Sequence, residues 1–161
     1  RKRPKPDVTV MFWRTGMASL LACGTLWIAG RLLPQITVAP SYALFLGVLF
    51  IVGFAYSVIN GMLYKIVPFL VWYHLQSAIK QRGIVPNVKQ VLPDSVTAKQ
   101  FYAHLAALVI LLAAVQWPGV LTHAAGLAFG VSSCWLLVNM IGATRMYQRI
   151  KLYAAQSLAA K

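Results

Sequence analysis

Few side chains in this sequence can do chemistry, and two histidines lead them. His74 closes the segment GMLYKIVPFLVWYHLQ, from Gly61 to Gln76, and His104 stands about one turn inside an apolar run that starts at Phe101. Neutral imidazole suits haem iron and copper, so two histidines at comparable depth on different helices are candidate cofactor ligands, although neither has the spacing of a recognised motif. His123 falls at the opposite end of its run and cannot join them. Asn60, Tyr64, Lys65 and Asn139 come next, as polar groups within or beside apolar runs, where they are costly and invite a functional reading. Tyr56, Asn60 and Tyr64 recur at i, i+4 and i+8 and share one helix face. The acids number two, Asp7 and Asp94. No carboxylate pair, Ser-His-Asp set or intramembrane acidic relay can be assembled from them. No catalytic residue is assigned, and no Gly-rich phosphate loop is present.

The elements that must position these residues follow from composition. Of 161 residues 60% are hydrophobic and 11% charged, with a mean hydropathy of +0.70, whereas a soluble domain carries about a quarter charged residues. A bilayer core of roughly 30 Å takes about 20 apolar residues in a helix. Four stretches meet that length, at 10–32, 42–64, 101–120 and 121–144. The expected fold class is an all-α integral membrane protein, one domain over 1–161, with four transmembrane helices arranged as two hairpins. Pro34 stops the first helix, and Gln116-Trp117-Pro118-Gly119 makes a tight turn between the third and fourth. Cys23 and Cys134 both lie inside apolar runs and form no disulfide framework.

Fourteen of the 15 basic residues fall on one side of these spans and Arg31 alone on the other. The positive-inside rule then places both termini in the cytoplasm, with a cytoplasmic loop over 76–99 and a basic tail over 145–161. The expected location is a bacterial inner membrane, with anionic lipids met at the cytoplasmic face. Nucleic acid is not an expected partner, because the charge is distributed as topology requires rather than gathered in one patch. Thr97 and Gln100 read as a T-x-x-Q capping box opening the third span. The tail after Arg145 reads either as an amphipathic helix lying on headgroups or as a solvated helix end. Pro68 cannot donate to the carbonyl of Tyr64, so the second helix is expected to kink or break near Lys65. Two readings stay open there: a tilted helix ending in an interfacial segment with Phe69, Trp72 and Tyr73 as a belt, or a broken helix presenting Lys65 and His74.

Two stripes of small residues read as helix-packing surfaces. One holds Gly16, Ser19, Cys23 and Gly30 on the first span. The other holds Gly126, Gly130 and Cys134 on the fourth, where GLAFG supplies a G-x-x-x-G.

Over Gly61 to His74 the sequence resembles a segment of uncharacterised bacterial multi-pass membrane proteins related to the NnrS and haem-copper oxidase subunit I group. The resemblance implies an inner-membrane helical protein associated with haem or copper in respiratory or nitrogen-oxide physiology. Larger members have many more helices, so a chain opening on Arg1 is expected to be the C-terminal part of a longer protein. Three functions follow as expectations: a module of such a respiratory protein, with a cofactor near His74 and His104; a structural or accessory subunit packing against other membrane helices; or a small oligomeric transporter.

Overall fold

A computed structural model describes residues 7–78 and 88–159, and among them regular structure is helical, with no strand. Helix α1, Val8–Leu32, starts where the Asp7 carboxylate accepts from the Thr9 N–H at 3.2 Å, meeting one of the donors that a helix start leaves unpaired. It stops at Leu33, before Pro34 opens the four-residue α2, Pro34–Thr37. The chain returns from Ser41 to Ala78 as one helical rod in three stretches: α3 (Ser41–Gly47), a nine-residue π segment (Val48–Tyr56) and α4 (Ser57–Ala78).

Of the kink or break expected near Lys65, no break occurs. α4 runs through a buried Pro68 to Ala78, since a proline inside an apolar helix is tolerated where neighbours re-satisfy the freed backbone. The irregular stretch is the π segment instead, nearer the middle of the rod. There Ser57 Oγ donates back to the Val52 carbonyl, five residues earlier, at 3.4 Å, which fits the wider i→i+5 turn.

The second hairpin comprises the short α5 (Val88–Val91), α6 (Asp94–Gln116) and α7 (Pro118–Ala159). Its turn matches expectation and is tighter still: Trp117 alone separates the helices, donating to Ala113 O at 3.0 Å and accepting from the Leu121 N–H at 3.1 Å. Pro118 is pre-set for a helix start.

Three boundaries need correction. α6 begins at Asp94, behind an extended Pro93, rather than at Phe101, so the helical part of the 76–99 stretch is larger than expected and part of the rest lies outside the described residues. Thr97 and Gln100 do not form a capping box. Thr97 Oγ1 donates to Pro93 O at 3.4 Å, and the Gln100 amide is spent on Ser132. The last span and the tail are one element: α7 has 42 residues, about 63 Å at 1.5 Å per residue, twice a bilayer core.

Among the described residues three helices are long and apolar enough to cross a membrane, Ser41–Ser77, Asp94–Gln116 and Pro118–Leu152. α1, with 25 residues, has the length and carries Arg14 and Arg31.

α1 packs antiparallel against the rod that follows it. A Cβ on Gly53 would sit 2.6 Å from Ser19 Cβ, one on Gly16 2.9 Å from Val58 Cγ2, and one on Gly61 3.1 Å from Phe12 Cβ. Cys23 Sγ adds a contact of 3.7 Å to Leu46 O. The stripe of Gly16, Ser19 and Cys23 is therefore a filled helix contact. Below it, Phe12, Tyr64, Val71, Leu75, Phe101 and Leu136 share a core reaching to Val91, Leu92 and Ala143. Outward-facing Leu21, Val120 and Leu127 are more than 70% exposed, a surface compatible with hydrocarbon as its solvent.

Candidate functional site

The polar residues expected to mark a site gather where α1, the π segment, α4, α6 and α7 converge. Ser57 and Asn60 stand one turn apart on α4, Gln100 and His104 one turn apart on α6, and Ser132 on α7; all five are 0% exposed. Helical spacing puts each pair on one face, and the apolar remainder of each helix turns that face inward.

The strongest link is Ser57 Oγ to His104 Nε2 at 2.7 Å. Because the Ser57 hydroxyl proton goes to Val52 O, its oxygen accepts from His104 Nε2–H. That leaves Nδ1 as the lone-pair nitrogen of the ring. Gln100 Nε2 donates to Ser132 O at 3.3 Å and Ser132 Oγ at 3.4 Å. At the margins, Tyr56 OH donates to Ser133 Oγ at 2.9 Å and Asn139 Nδ2 to Tyr64 OH at 2.8 Å. Phe12, fully buried, walls the layer: its ring centroid lies 4.9 Å from Phe101, 5.8 Å from Tyr64 and 5.9 Å from His104.

Four buried atoms have no hydrogen-bond partner among the described residues: Asn60 Nδ2, Asn60 Oδ1, Gln100 Oε1 and His104 Nδ1. Such atoms are rare in folded proteins, and each invites an explanation. They are two obligate acceptors, one ring nitrogen and one NH2 donor.

Asn60, Tyr64, Asn139 and His104 thus come together, as their shared depth in the sequence suggests. His74 does not join them. It lies 17 residues beyond Ser57 on an unbroken α4, about 25 Å away at 1.5 Å per residue. It is exposed, and its Nδ1 donates to Leu70 O at 2.8 Å. The continuity of α4 through Pro68 carries it outward instead of folding it back toward His104. Lys65 is exposed on the same helix and lines a crevice of about 180 Å³ with Tyr64 and both acids, Asp7 and Asp94. Gly126, Gly130 and Cys134 face outward, and nothing lies within 4 Å of a Cβ on either glycine. That stripe packs on nothing within the described residues.

Ser57, Gln100 and Ser132 are the members that sequence reasoning missed. Their signal is positional: Ser57 precedes Asn60 by three residues and Gln100 precedes His104 by four, so each shares the face of a polar residue already singled out.

No family model, curated protein or solved structure matches this chain. The donor set does not fit a haem or copper ion held between His74 and His104, because the two rings are too far apart. No cluster of three or more His, Cys, Asp or Glu side chains stands close enough to hold a metal among the described residues.

Proposed function

We propose that the chain is a four-span membrane module with both termini in the cytoplasm, a non-catalytic accessory or structural part of a larger bacterial inner-membrane assembly, docking on other membrane helices through α7. One observation carries this: the Gly126, Gly130 and Cys134 face is open along successive turns, whereas on the first hairpin Gly16, Gly53 and Gly61 are each covered by a neighbour and Gly24 and Gly47 are open singly. In lipid no hydrophobic effect drives helices together, and close approach over small residues supplies the packing instead. α1 completes the fourth crossing in this reading, with Arg14 and Arg31 reaching toward opposite interfaces. The buried polar layer holds the helices in one register, as interhelical hydrogen bonds do in membranes.

A photo-crosslinking residue at Gly126 tests the proposal against one at Leu21, which is 71% exposed on α1. In native membranes the Gly126 probe yields a discrete protein adduct and the Leu21 probe does not. Equal, diffuse labelling from both positions refutes the docking role.

A second reading has its own observation. The two unpartnered amide atoms of the fully buried Asn60 favour a small-solute site of the transporter kind, and replacement of Asn60 separates the two readings, as set out below.

A further inference from the structure

A groove of about 390 Å³ runs between α4 and α7 at the end of the bundle that carries the basic residues, lined by Val67, Leu70, Val71, His74, Thr144 and Tyr147. Both walls have helical spacing: 67, 70, 71 and 74 on α4, and 144 and 147 on α7, with Lys151 one further turn along the same α7 face. The volume lies within the range of small-molecule sites. The residues touching it are polar at one end and apolar at the other.

That gradient has a direction. α4 and α7 run parallel here, as the pairs Tyr56–Ser133 and Tyr64–Asn139 show. Moving out of the bundle along both helices, the lining changes from Val67, Leu70 and Val71 to His74 and Tyr147. Beyond these, Lys151 Nζ sits 6.0 Å over the Tyr147 ring, a cation held against the groove wall by its attraction to the ring face. Arg145 and Arg149 stand exposed on the same stretch of α7. Phe69, Trp72 and Tyr73 form a stacked aromatic group at the same height on α4, with Phe69 5.9 Å from Trp72 and 6.3 Å from Tyr73. Aromatic belts of this kind mark the headgroup level of a bilayer.

We infer that this groove binds one anionic phospholipid of the cytoplasmic leaflet. The upper part of an acyl chain lies along Val67, Leu70 and Val71, and the phosphate is met by Lys151 and His74. His74 Nδ1 is committed to Leu70 O, so Nε2 is the atom that faces the ligand. Basic clefts between membrane helices at the cytoplasmic side select anionic headgroups; here the apolar end of the groove supplies the place for the chain that a free phosphate would not use. The inference rests on the membrane placement proposed above but not on the docking role of α7.

Native mass spectrometry of the full chain, released from detergent with phosphatidylglycerol or phosphatidylcholine of matched acyl chains, tests it. Wild type retains one phosphatidylglycerol in preference to phosphatidylcholine. Lys151→Gln lowers that preference about fivefold, the contribution of one interfacial cation, while Lys151→Arg keeps it. Thr144→Trp fills the groove and removes the retained lipid of either headgroup. Thr144 is exposed, so an unchanged thermal midpoint shows that the variant folds. Excess inorganic phosphate does not displace the lipid. Equal retention of the two lipids by wild type, or undiminished retention in folded Thr144→Trp, overturns the inference. Loss of the Gly126 photo-adduct leaves these readouts unchanged, so the two proposals fail separately.

Discussion

The first hairpin and α7 both carry a row of small residues, yet the rows meet different fates. On α1 and the rod that returns beside it, Gly16 and Gly53 sit closer to their neighbours than a Cβ allows, and Gly61 leaves a Cβ only 3.1 Å. On α7, Gly126 and Gly130 look onto open space, with Cys134 exposed beside them. The same composition therefore marks a contact already made in one place and, on the proposed reading, a docking face in the other. Small residues give a membrane helix the capacity for close approach without naming the partner.

Substituting both rows sharpens this contrast. Gly53→Leu forces a side chain into Ser19 and costs about 1–3 kcal/mol, the usual range for overpacking. Gly126→Leu stays within about 0.5 kcal/mol of wild type in the isolated chain, as surface changes do, while abolishing the photo-adduct in membranes. Reversible denaturation in mixed micelles measures both. A comparable loss from Gly126→Leu would mean that α7 already packs on its own chain, and the contrast collapses.

The histidines offer the next comparison. His104→Ala removes the donor to Ser57 Oγ, which keeps its bond to Val52 O, and opens a hole beside Phe12, for an expected loss of about 2–3 kcal/mol. His74→Ala removes an exposed ring that bonds only its own helix and is expected to cost less than about 0.5 kcal/mol. The same denaturation assay reads both, and a large effect at His74 would place it in the core.

The smallest and most discriminating change is Asn60→Leu. If the polar layer only sets helix register, two buried amide atoms without partners are a burden, and their removal stabilises the protein by about 1 kcal/mol. A loss of stability instead shows that Asn60 holds a guest, and the solute-site reading then replaces the structural one.

The sequence displays the skeleton of this molecule because its determinants are local. Run lengths locate the helices, and Trp117-Pro118 announces its own turn. Asn60, His104 and Asn139 also declare their inward direction, since a polar group within an apolar run has few other places to go. What depends on partners is not legible in this way. Gln100 looks like half of a capping box until Ser132 arrives from 32 residues away to take its amide. Pro68 looks like a break because the neighbours that bury it are not adjacent in sequence. The π segment has no local mark either; it accompanies the approach of Gly53 to Ser19. His74 was paired with His104 by depth alone, and depth was reckoned from a helix expected to turn at Pro68.

The one-residue joint at Trp117 also bears on how the chain reaches its place. From Phe101 to Thr144 there is no Asp, Glu, Lys or Arg, so the tip of the second hairpin has no charge to drag across hydrocarbon during synthesis. Nor does it contain slack that would let α6 be released into lipid before α7 is made. On the proposed membrane placement the pair would enter as a single loop, each helix shielding the other's polar groups, with Gln100 and Ser132 near its open end.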